Sequence, residues 1–249
     1  MRTTKLLWAI PLLLTSAACE QVDSSAIRTE GIYADFTAVS HGEGQVALRA
    51  NLRVGGPVSN TYIDLVDGDR LEAQHGLERQ EMDRDVGLFG AIDYHARFED
   101  DGDRTYRVAF MRERHDTEEA ACLGDSAPDS TVVLPPPFAL TVQLPTADDR
   151  ASRRNDDVVL RWTPSSSDSM RVSLSGRCIR PWALDTNDDG ELRIDAGDIE
   201  WDRDNDESDA CEVEVSVVRE REGRVDTAFG EGGRFVGQQV RSARFYSVP

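Results

Sequence analysis

The chain has 249 residues, with 28 basic against 47 acidic side chains and a formal charge of −19 at pH 7. That charge argues against nucleic acid and anionic lipid head groups as direct partners, and 39% hydrophobic residues with 4 Trp, 5 Tyr and 8 Phe exclude a disordered coat. Lys5 is the only lysine and Asp outnumbers Glu, a balance that fits either adaptation to high salt or a GC-rich genome that favours arginine codons.

Residues 1–18 open with Arg2 and Lys5, continue as an apolar run from Leu6 to Leu14 and end in small residues. This is the make-up of a secretory signal, too short in its apolar part to span a bilayer. Ser16-Ala17-Ala18-Cys19 resembles the lipobox of bacterial lipoproteins, with Ser where that family usually has Leu. The resemblance implies cleavage before Cys19, acylation of Cys19 (palmitate among the chains) and a lipid anchor in the membrane. Glu20 after the cysteine implies, by the same family's sorting pattern, the outer membrane of a Gram-negative bacterium, at its periplasmic or outer face. The other reading is an ordinary signal peptide, cleaved after Ser16-x-Ala18. Either cut leaves 231 residues with 26 basic and 47 acidic groups, room for one large or two small domains. Residues 19–30 read as a lipidated tether, reaching at most about 30 Å when extended.

Strand periodicity then dominates. Val46, Leu48, Ala50, Leu52 and Val54 alternate with polar or small residues, as do Ile92, Tyr94, Ala96 and Phe98, and then Tyr106, Val108 and Phe110. A period of two places one face on a core and the other in water. Turn signals separate the runs: Gly55-Gly56-Pro57, Asp67-Gly68-Asp69 and Asp100-Asp101-Gly102-Asp103. Pro135-Pro136-Pro137 marks an edge segment, residues 139–144 read as a last strand, and 146–157 as a polar linker. The first domain is therefore expected over 31–145 and the second over 146–249.

In the second half Met170, Val172 and Leu174 alternate, as do Val213, Val215 and Val217. Val158 to Pro164, with Trp162, followed by Met170 to Gly176, resembles the early strands of fibronectin type III and related immunoglobulin-like modules. The resemblance covers about twenty residues and implies a sandwich with Trp162 in its core. The expected class is all-β, two immunoglobulin-like β-sandwich domains. Gly223 to Gly233 is similar to a repeat unit of some bacterial propeller-like proteins; as one copy it is expected to form a hairpin turn. Cys178 and Cys211 flank an acidic segment, and in an oxidising periplasm their disulfide would close a loop worth roughly 3–4 kcal/mol. Cys122 is then left as a buried thiol without a basic partner nearby in sequence.

Asp185-Thr186-Asn187-Asp188-Asp189-Gly190-Glu191-Leu192 fits the first eight positions of an EF-hand-type calcium loop. Asp185, Asn187 and Asp189 would offer side-chain oxygens and Glu191 its carbonyl. Ala196 stands where a bidentate Glu belongs, leaving Asp195 or Asp198 to substitute. Twelve acidic residues against two arginines over 185–209 favour a cation, while turn chemistry alone favours a plain acidic loop. Calcium is thus the one cofactor expected. Gly124-Asp125-Ser126 and Asp226-Thr227-Ala228 are similar to fragments of esterase and aspartic-protease sites but lack the partners those families need. His41, His75, His95 and His115 have no metal-ligand spacing, and no phosphate loop or zinc motif is present. No catalytic residue is nominated. The expected role is a non-enzymatic envelope lipoprotein with a protein partner, a binding or structural module; the alternative is a hydrolase using paired carboxylates.

Overall fold

The computed structural model describes residues 20–87, 89–102, 104–113, 123–145, 149–165, 168–202, 204 and 209–249. The signal segment, Cys19, Cys122 and His115 lie outside these. Among the described residues the chain forms eighteen strands. The first ten are β1 (Glu20–Asp23), β2 (Ile32–Ser40), β3 (Gln45–Val54), β4 (Thr61–Asp64), β5 (Arg70–His75), β6 (Glu78–Glu81), β7 (Asp83–Val86), β8 (Ile92–Glu99), β9 (Thr105–Met111) and β10 (Ala127–Val133). The others are β11 (Leu140–Gln143), β12 (Arg150–Ser152), β13 (Val158–Trp162), β14 (Ser169–Ser175), β15 (Trp182–Asn187), β16 (Glu191–Ile194), β17 (Cys211–Glu222) and β18 (Gly233–Val248). Among the described residues, helix is confined to single 3-10 turns at Ser24–Ala26 and Thr29–Gly31.

Alternation places the core. Val46, Leu48, Ala50 and Leu52 of β3, Ile92, Tyr94, Ala96 and Phe98 of β8, and Tyr106, Val108 and Phe110 of β9 are all buried. One sheet of eleven strands runs β1-β4-β3-β2-β18-β17-β14-β15, with β8 and β7 branching from β3 and β12 from β18. A four-stranded sheet, β10-β9-β5-β6, packs on its first half, and a three-stranded sheet, β11-β13-β16, on its second. The result is two sandwiches that share one sheet.

The shared strand is β18. Its 16 residues span about 50 Å at a strand's rise of ~3.3 Å per residue. It pairs with β17 along that strand's whole length, from Glu222↔Val236 to Cys211↔Ser247. Its first part also lies parallel to β2, from Gly233↔Ala34 to Gln239↔Ser40. Phe235 therefore sits in the first core and Phe245 in the second. The register also gives the molecule two ends. The loops at the C-terminal end of β3 form the near end, and Cys211 and Ser247 lie at the distal end.

The structure assigns several segments differently from the sequence reading. Residues 20–29 are built into the fold: β1 pairs in parallel with β4 from Glu20↔Thr61 to Asp23↔Asp64, and Ser24 and Thr29 are buried. Residues 139–144, read as closing the first domain, contribute β11 to the second sandwich, where Leu140, Val142 and Leu144 pack on its core. Leu134 ends in the first core and Phe138 begins the second, so Pro135–Pro137 is the crossing. Proline suits that crossing because it offers no donor to a ladder. Residues 223–232 do connect β17 to β18 as a hairpin, and Phe229 from this loop enters the first core. Gly223 is required there, since a Cβ would stand 2.3 Å from the Thr131 carbonyl oxygen. Cys178 and Cys211 form a disulfide, both sulfurs buried in the second core.

Candidate functional site

The acidic segment is distributed over several elements rather than gathered in one loop. Asp185 and Asn187 lie on β15, opposite Arg171 and Ser169 of β14. Asp189 is exposed in the turn that follows. Glu191 opens β16 in the other sheet, beside Arg161 at 2.9 Å, and Asp195 beside Arg193 at 2.8 Å. Asp185 faces Arg171 at 3.6 Å. Residues 188–190 are a crossover from one sheet to the other, which is why alternate side chains point apart there. Among the described residues no three His, Cys, Asp or Glu side chains converge on a common point.

The group that this segment does organise is Asp188, at a position to which a calcium loop gives no ligand role. Its side chain is 2% exposed. It accepts from Trp162 Nε1 at 2.7 Å, from the Ser165 amide at 2.9 Å and from Arg219 Nη2 at 2.9 Å. Arg219, itself 1% exposed, also donates to the carbonyls of Pro136 and Thr163. Its guanidinium lies 4.7 Å from the Phe138 ring centre, and that of Arg241 lies 5.4 Å from the same ring. Arg241 donates in turn to the carbonyls of Phe138 and Ser40. Phe138 is thus clamped between two cations where the two cores meet. Burial pushes the Arg241 guanidinium below its ordinary value, against the pull of Asp100, while Arg219 pushes the same way.

A second buried arginine fixes the near half. Arg112 donates to Asp69 Oδ2 at 2.8 Å, to Thr29 Oγ1 at 2.9 Å and to the carbonyls of Ser24 and Ile27. Burial lowers its pKa, with Asp69 opposing. These contacts lock residues 24–29 onto β9. The strand phase marks both arginines: Arg112 follows Tyr106, Val108 and Phe110, and Arg219 follows Val213, Val215 and Val217, each two residues further on the inward face. A charged residue on an inward phase was the sequence signal for these hubs.

The weaker sequence candidates are structural. Ser126 Oγ accepts from the Arg112 amide, and Asp226 accepts from the amides of Asp129 and Ala228. His75 is buried, stacked on Tyr106 at 4.5 Å, with Nε2 2.9 Å from Asp101. His41 is exposed, and His95 is partly exposed on the outer face of β8, the face the alternation assigned to it.

A concave surface lies on the outer face of β18, β2, β3 and β8. It is a hollow of about 240 Å³ lined by Asp35, Arg49, Arg53, Tyr62, Asp93 and Arg234 among others. Arg49 grips Asp93 through two hydrogen bonds of 2.9 and 2.7 Å, and Arg234 grips Asp35 through bonds of 2.9 and 3.4 Å. These bonds raise the Arg49 and Arg234 pKa values. Arg53 stands over the Tyr62 ring at 5.5 Å. Fixed cations, carboxylates and one aromatic ring suit recognition of a polar partner.

No protein-family model matches this chain, and no curated protein matches it. A solved structure described as the crystal structure of a tetra-tandem repeat in the extending region of a large adhesion protein is similar at 13% identity and a TM-score of 0.26. The match covers 86% of this chain and 49% of that one, so this chain spans about half its length. A likeness that loose carries no argument about function.

Proposed function

We propose that this chain is a non-enzymatic lipoprotein of the bacterial cell envelope, anchored through Cys19 at the outer membrane and acting as a rigid binding or structural module. The observation that carries the reading is the lipobox-like Ser16–Cys19 at the end of a signal-like segment. It directly precedes Glu20, which donates its amide to Asn60 at 3.1 Å. The buried carboxylates support a scaffold. Asp188 and Asp168, both 2% exposed, and Asp69, 6% exposed, each pair with an arginine, and two of those arginines, Arg219 and Arg112, are buried as well. In this reading the Arg–Asp hollow on the outer face is the surface offered to a protein partner. Calcium is proposed only as a counter-ion of Asp185, Asp189 and Asp195, exchangeable with salt.

The test is fractionation of cells producing the full chain or its Cys19→Ala form. The wild type is expected in the membrane fraction after salt and alkaline washing, and the variant is expected to be soluble and folded. A Cys19→Ala protein that stayed with the membrane would refute anchorage through this residue.

A further inference from the structure

The near end of the molecule leaves large apolar side chains uncovered. Val58 is 90% exposed in the loop between β3 and β4, and Phe89 is 75% exposed at the tip between β7 and β8. Both tips are hydrogen-bonded to the first two residues of β1. The Glu20 amide donates to Asn60, two residues from Val58, and Gln21 Nε2 donates at 2.9 Å to the carbonyl of Gly90, next to Phe89. The strand register projects both tips beyond the C-terminal end of β3, since Arg53 pairs with Tyr62 and the Asn51 side chain reaches the Ile92 carbonyl at 2.7 Å. Leu77 is also fully exposed, but it sits at the other end of β3, where His75 meets Asp101. Exposed apolar residues at one end, around the first residues of β1, mark that end for an apolar medium.

We infer that this end is a membrane seat: Val58 and Phe89 insert into the phospholipid surface that holds the acyl chains on Cys19, and the long axis of β18 stands away from the bilayer. The inference rests on the anchor reading above. Cys19 is the residue bonded to Glu20. Glu20 is already paired with Thr61, so no spacer lies between an acylated Cys19 and β1. An anchor at that point brings both tips to the bilayer with it. The strongly acidic surface gains nothing from lipid charge, so apolar insertion has to supply the contact.

The test uses the full chain, acylated in its producing bacterium, in phosphatidylcholine vesicles whose acyl chains carry bromine as a fluorescence quencher. Three variants are compared with the wild type: Val58→Trp, Phe89→Trp and Leu77→Trp. All three positions are exposed, so folding is not at stake. The emission added at positions 58 and 89 is expected to be mostly quenched, and that added at 77 to be unchanged. Unquenched emission at 58 and 89 in a protein whose Cys19 carries acyl chains by mass would overturn the seat and leave the anchor standing. Cys19 found without acyl chains would overturn both.

Discussion

The two sandwiches hold themselves together by different means. The near one buries 24 described residues in its core, among them Phe36, Phe98, Tyr106, Phe110, Phe229 and Phe235, and its aromatic rings meet edge-on or stacked. The distal one buries 17, with Phe138, Trp162 and Phe245 as its aromatics, and it carries the Cys178–Cys211 disulfide. The smaller of the two cores is the one that carries the disulfide staple. The same contrast extends to the surface. The near end exposes Val58 and Phe89, while the distal end carries the disulfide and the charged stretch after Asp198. The Arg219–Phe138–Arg241 clamp and β18 couple these unlike halves.

Breaking the coupling should have the largest effect. Arg219→Met removes one partner of a buried ion pair and leaves Asp188 uncompensated, a loss of about 3–5 kcal/mol. Calorimetry is expected to show one transition for the wild type and two for the variant, the distal half melting first. One transition at an unchanged temperature would mean that the clamp does not join the halves. Next comes the staple. Replacing Cys178 and Cys211 together by Ser should cost roughly 3–4 kcal/mol on the chain-entropy model. Hydrogen exchange should rise most in β14 and β17 and less in β3 and β8, and an equal rise in all four would contradict a staple that serves the distal core.

Alkaline titration addresses the near half alone. Burial raises the Tyr94 phenol from 10.0 to about 12, and its hydroxyl accepts from the Leu65 amide and donates to the Ile63 carbonyl. Because the folded pKa lies above the unfolded one, the stabilisation is complete below pH 10 and drains away as pH rises towards 12. About 2–3 kcal/mol is at stake, and Tyr94→Phe should flatten that loss. Denaturant midpoints measured across this range check the sign. The smallest effect is expected from calcium. The paired Asp185, Glu191 and Asp195 lie on separate elements, so melts in EDTA and in calcium should differ no more than melts in magnesium. A saturable, calcium-specific rise abolished by Asp185→Ala would establish a true ion site at the distal half.

Much of this was legible in the sequence where one strand serves one core. The alternations at Val46–Leu52, Ile92–Phe98 and Val213–Val217 each fell on the buried face. The cysteine pair followed from two strand borders around one segment. β18 was not legible, because it serves two cores and crosses a polar junction. Phe235 and Val236 are both buried, Gln239 is buried without being apolar, and Phe245 resumes the core later. No single period survives that change. Asp188 was hidden for a related reason. Asp, Asn and Gly in a row read as turn chemistry, and its partner Arg219 lies 31 residues away. The crossover that buries it depends on which sheet each flanking strand joins, and neither β15 nor β16 carries that information alone.

The most direct measurement of the proposed anchor is the mass of the N-terminal peptide of the full chain isolated from the bacterium that produces it. Anchorage through Cys19 predicts a peptide beginning at Cys19 and heavier by a diacylglyceryl group and a fatty acyl chain. A peptide beginning at Cys19 with an unmodified thiol, or one retaining residues 1–18, would contradict it.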